Sequence, residues 1–161
     1  MEMNKIEWRG GHDMSDWGPG PWQDEPSKIQ WIDEATDLDC LMVRNRWGCW
    51  CGYVGVAPGH RFYDITYRAL EDAGEDISAH GGLTYSDRCQ EAEDVDDIRL
   101  VCHTPYPGRS PEIWWFGFDC GHSMDLMPGM RAMLGDYGIV DTYRDVAYVR
   151  AEVERLARQL A

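Results

Sequence analysis

The sequence contains no apolar run approaching the roughly 20 residues that span a bilayer, no Cys-x-x-Cys pair and no His-Glu-x-x-His helix. The first absence argues against a membrane partner, and the other two remove the strongest sequence signs of a zinc site. Basic residues are also scarce, 15 against 29 acidic ones, for a formal charge of −14. Such a surface repels phosphate backbones, which argues against direct nucleic-acid binding. The six cysteines follow no secreted-scaffold spacing, and Met1-Glu2-Met3-Asn4-Lys5 leads into Trp, Gly and Asp instead of an apolar signal core. Both point to a cytoplasmic protein with six free thiols and no required disulfide. There is no internal repeat or low-complexity tract.

What is present is material for a core. Of 161 residues, 43% are hydrophobic, with eight Trp and eight Tyr. A chain of this length forms one domain that buries roughly 70% of its unfolded surface. Residues 1–24 hold four Gly, two Pro and three Trp without a helix or strand period, and read as an irregular arm pinned by its tryptophans to a domain over 25–161.

Asp39–Arg44 and Cys49–Val56 read as strands joined by a hairpin turn at Arg46-Trp47-Gly48. Tyr63–Ala73 reads as a short helix stopped by Gly74. Strand-like stretches follow at Ile77–Tyr85 and Ile98–His103, on either side of an acidic connector over Gln90–Asp97 that reads as a solvated loop. Glu112–Phe118 is the most apolar segment and is expected to cross the centre of the sheet. Val146, Val149, Val153, Leu156 and Leu160 mark one stripe of an amphipathic helix from about Thr142, with Asp141 as its N-cap. The predicted fold is α+β, a single domain with a mostly antiparallel sheet and a long C-terminal amphipathic helix packed on it.

Chemistry-bearing residues gather beyond the strand ends. In His80-Gly81-Gly82-Leu83-Thr84-Tyr85 the paired glycines let backbone approach a ligand and offer N–H groups to an anion. Asp119-Cys120-Gly121-His122, followed by Asp125, puts two carboxylates, a thiol and an imidazole directly after the aromatic strand. His60 ends the Val56–Gly59 turn. Candidate catalytic groups are therefore His80, Asp119, His122 and Cys120, and candidate ligand-binding groups are Gly81, Gly82, Tyr85 and His60. A cysteine nucleophile would need a histidine to lower its pKa, whereas a buried Cys120 would serve packing alone. Zinc is a possible cofactor, with His60, His80, Asp119 or His122 as ligands. His103 reads as a surface residue beside a Pro-rich turn, and His12 has little claim to a role.

Taken together, Glu25-Pro26, Gln30-Trp31, Cys51–Val56, His80–Tyr85, Trp114–His122, Tyr143-Arg144-Asp145 and Tyr148-Val149 resemble a widespread family of uncharacterised phage, prophage and bacterial proteins. The resemblance covers residues from about 25 onward and implies a compact cytoplasmic domain of phage type, without an assigned activity. The family usually has glycine where Met124 stands here.

Three functions fit these residues. One is a small-ligand cleft that binds or hydrolyses a nucleotide-like signal to counter host defence. A second is an acidic inhibitor, a DNA mimic or anti-CRISPR-like protein, that binds a host nucleic-acid-handling protein. The third is metal-dependent hydrolysis.

Overall fold

The hairpin at the heart of the sheet is set by one side chain. In the computed structural model, which describes residues 4–93, 97–135 and 141–161, the Asn45 carboxamide oxygen accepts the N–H groups of Trp47 (2.9 Å) and Cys49 (3.3 Å). This closes the turn between β3 (Asp39–Arg44) and β4 (Trp50–Val56) and pairs Arg44 with Trp50. β1 (Ile6–Trp8) and β2 (Lys28–Ile32) extend the sheet on one side. β6 (Trp114–Asp119) and β5 (Tyr85–Arg88) extend it on the other, in the order β1-β2-β3-β4-β6-β5 with every pair antiparallel. β6 is thus interior but one place from the edge.

Strand alternation sorts the core into two faces. Met42, Trp50, Val54, Phe116 and Phe118 turn toward α3 (Val146–Leu160), which buries Val149, Val153, Leu156 and Leu160 against them. Gly52 permits that approach, because a Cβ there would stand 2.6 Å from Val153 and Phe118 carbons. Leu41, Val43, Tyr53, Ile113 and Trp115 form the other face, closed by Val101 from an irregular segment. That cover is held by polar pegs: Lys28 Nζ donates to the Leu100 carbonyl (2.8 Å), and Gln30 bonds both the N–H and the C=O of Thr104 (2.7 and 2.9 Å).

The predicted α+β, single-domain architecture and C-terminal helix are present. Several local expectations change. Residues 6–8 of the supposed irregular arm form β1, while Trp17 and Trp22 are buried as anticipated. The first helix shortens to α1 (Tyr67–Asp72), because Asp64 adopts a left-handed conformation and Thr66 caps the helix. Only the end of the Ile77–Tyr85 stretch is extended, as the start of β5.

Ile98–His103 is not a strand. Val101 exchanges bonds with Gln90 alone, and its side chain plugs the sheet. The acidic connector falls partly on 94–96, outside the described residues. α3 starts at Val146 with Asp145, not Asp141, as N-cap, its carboxylate accepting the Tyr148 N–H (2.9 Å). A short α2 (Pro128–Leu134) precedes it. Cys89 and Cys102 are disulfide-bonded, contrary to the expectation of six free thiols. The Gln90 N–H to Val101 C=O bond sets them side by side, with Cα atoms 4.5 Å apart. Among the described residues, no helix is long and apolar enough to cross a membrane.

A buried charge ties residue 25 to α3. Arg44, fully buried, donates to the Glu25 carboxylate (3.2 Å), the Tyr143 hydroxyl (2.8 Å) and the Gly48 carbonyl (2.7 Å). Tyr143 bonds Glu25, whose other oxygen accepts the Val146 N–H at the start of α3 (2.8 Å). Each buried charge thus meets opposite charge and hydrogen bonds together, the condition under which burial is tolerated.

Candidate functional site

The site forms where three connections meet beyond the end of β6. In the first, a turn from Ala79 to Gly82 (2.8 Å) presents His80, with Gly81 at φ 69°. A Cβ at Gly81 would lie 2.2 Å from His122 Nε2, so a larger residue there would displace the His122 ring as well as strain the turn. The second connection follows Asp119. Its Oδ1 accepts the Gly121 N–H (2.9 Å), and Asp125 Oδ2 accepts the His122 N–H (3.1 Å), so the two carboxylates fold the loop around His122. Met124 adopts φ 74°, a conformation that glycine takes freely. The third is the lead into α3: Leu126 donates to Thr142 and Thr142 to Met124 (both 2.8 Å), which brings Arg144 and Tyr148 alongside.

These contacts build a linear polar chain. Arg144 Nε donates to Asp125 Oδ1 (2.9 Å), Asp125 Oδ2 meets His80 Nε2 (2.7 Å), and His80 Nδ1 meets the Tyr148 hydroxyl (2.7 Å). Since a carboxylate only accepts, the His80 proton sits on Nε2, and in the neutral ring Nδ1 accepts from Tyr148. Burial pushes the Asp125 carboxyl up, but His80, Arg144 and the His122 N–H outweigh it and hold it below its ordinary 3.8. The stabilisation from its charged form is therefore complete above 3.8 and is lost as pH falls through the lower folded-state value. Burial raises the Tyr148 phenol, keeping it a proton donor.

Beside this chain lies a more open pair. His122 and Asp119 side chains are about one-third exposed, with Nε2 and Oδ1 3.4 Å apart and Thr84 donating to Asp119 Oδ2 (3.3 Å). The His80 and His122 rings stand 6.0 Å apart between centroids.

The structure thus brings together His80, Gly81, Gly82, Asp119, His122 and Asp125. It places the other candidates elsewhere. Cys120 is 1% exposed in the α3-facing core, and burial drives its thiol far up, so it packs and presents no thiolate. Tyr85 turns into the opposite face against Tyr53 (5.3 Å), its hydroxyl buried and its phenol raised by burial to about 12. His60 caps α3: Nδ1 accepts the Phe62 N–H (3.0 Å), leaving Nε2–H to donate to the Leu160 carbonyl (2.8 Å).

The zinc set of His60, His80, Asp119 and His122 therefore does not assemble. Among the described residues, the one trio of potential ligands within reach of a single ion is Cys89, Cys102 and His103. His103, expected at the surface, is 7% exposed. Arg144, Tyr148 and Thr84 were not anticipated in the site. Thr84 lies inside the His80–Tyr85 cluster, whereas Arg144 and Tyr148 are distant from both clusters in the sequence. No family model, curated protein or solved structure matches the chain.

Proposed function

We propose that this cluster of side chains binds a small nucleotide-like ligand and hydrolyses it by proton exchange between two imidazole–carboxylate pairs. The observation that carries the reading is the pairing itself: His80 with Asp125 and His122 with Asp119, their rings 6.0 Å apart. Hydrolysis of a phosphate ester needs one group to take a proton from the attacking water and another to give one to the leaving oxygen. His122, the more exposed ring, is the ligand-facing group through its Nδ1 edge, since its Nε2 is buried beside Gly81 and Asp119. His80 is held by Asp125 at Nε2, so it exchanges a proton with the ligand through the Tyr148 hydroxyl bonded to its Nδ1.

The left-handed Gly81 offers its backbone N–H to an anion, the Gly82 N–H being used to close the turn on Ala79, and Arg144, paired with Asp125, adds positive charge to the site. A net charge of −14 favours a small ligand held by these local donors over a polymer. A phage-type setting, as the resemblance implies, makes a host defence signal the substrate class to try first. The acidic-inhibitor reading rests on that net charge alone, and no arrangement of side chains adds to it.

The test is native mass spectrometry of freshly purified protein for a retained ligand, followed by incubation with linear and cyclic nucleotides and chromatography of the products. His122→Ala is expected to abolish turnover at an unchanged melting temperature. Asp125→Asn is expected to lower both turnover and melting temperature, since it disturbs buried bonds. The reading fails if no nucleotide binds or is converted, or if turnover survives both substitutions.

A further inference from the structure

A second cluster lies beside Trp115, about 13 Å along β6 from Asp119 at roughly 3.3 Å per residue. Cys89 follows β5 directly, Cys102 and His103 follow Val101, and the three ligand atoms lie within 4.8 Å of one another. His103 Nδ1 is 3.7 Å from Cys89 Sγ. The His103 ring packs edge-on against Trp115 (5.5 Å), and the Trp115 indole N–H donates to Cys89 Sγ (3.4 Å).

Two features fit poorly with a simple structural crosslink. An N–H aimed at sulfur is the outer-shell contact that supports a metal-bound thiolate. His103 Nδ1, 3.7 Å from Cys89 Sγ, is the ring nitrogen turned toward the sulfurs, where a ligand atom would stand.

We propose that Cys89, Cys102 and His103 are a zinc site in the reduced protein, closed as a disulfide when oxidised. Two thiolates and one imidazole supply three of the four tetrahedral positions, and a water completes the set, since Cys89 and Cys102 are only half-buried. Opening the site needs a dithiol or low-molecular-weight thiol as reductant. Its two electrons and two protons split the S–S bond into two thiols while the reductant itself becomes a disulfide. Zinc then displaces both thiol protons. The same two cysteines thus close the 90–101 loop either through their own bond or through the ion.

The test uses the full chain, reduced with a phosphine and kept anaerobic. Native mass spectrometry with equimolar zinc is expected to show about one ion per reduced chain and none on the oxidised chain. Cobalt in place of zinc is expected to give thiolate charge-transfer absorption that disappears in Cys102→Ser and His103→Ala. Should either variant fail to fold, alkylation of the wild-type protein decides the matter. Zinc is expected to protect Cys89 and Cys102 from iodoacetamide while leaving the labelling of Cys40, Cys49, Cys51 and Cys120 unchanged. The proposal is overturned if the reduced protein holds no zinc, if folded Cys102→Ser holds it equally well, or if protection falls on other cysteines.

Discussion

The two faces of the sheet are covered by opposite means. On one, α3 lays a stripe of Val149, Val153, Leu156 and Leu160 against Val54, Phe116 and Phe118, and the contact is apolar side chain on apolar side chain. On the other, an irregular segment is held by Lys28 and Gln30 reaching for its backbone, with Val101 buried against the sheet and a disulfide at its base. The difference shows what each kind of cover requires. A helix satisfies its own backbone and needs only a face, whereas an irregular cover must have its carbonyls and N–H groups satisfied from the sheet.

The comparison breaks most directly at Leu156, which is fully buried in α3. Leu156→Ala is expected to cost about 2–5 kcal/mol by opening a cavity, while Arg158→Ala, on the exposed side of the same helix, is expected to change little. Thermal melts of both variants check this, and equal small effects would mean that α3 is not packed as described. A smaller loss is expected from Gln30→Ala, about 1–3 kcal/mol, because it leaves both backbone groups of Thr104 without their partner. Urea unfolding measures it, and a loss above that of Leu156→Ala would reverse the ranking of the two covers. The smallest effect belongs to the cap of α3: Asp145→Ala is expected to cost about 1 kcal/mol. Asp141→Ala, at the position the sequence suggested as N-cap, serves as its control in the same melts.

Legibility in the sequence follows the same division. β3, β4, β6 and the stripe of α3 were readable because hydrophobic alternation and helical spacing are local signals. The Ile98–His103 stretch misled for the converse reason: its apolar residues plug a face, and its backbone finds partners on distant side chains instead of a neighbouring strand. β1 is three residues long, too short to show alternation.

In the site, His80, Asp119, His122 and Asp125 stood out because polar groups crowd beside glycines and a core strand. Arg144 and Tyr148 arrive from the lead into α3 and from its first turn, a proximity that only the bridge between Asp125 and Thr142 creates. His60 looked equally promising, yet its ring is consumed in finishing a helix. Composition could not separate the two histidines, because the partners that decide their roles lie far off in the chain: Leu160 for one, Asp125 and Tyr148 for the other.

The placement of α3 also sets a timetable for synthesis. β2, β3 and β4 can pair as soon as they emerge, but the face carrying Trp50 and Val54 waits for a helix that begins only at Val146. At roughly 5–20 residues per second, that interval lasts several seconds on a translating ribosome. Throughout it the nascent meander offers a broad aromatic surface to whatever is nearby, so a chaperone that shields such surfaces is expected to raise the yield of folded protein more than it alters the finished protein's stability.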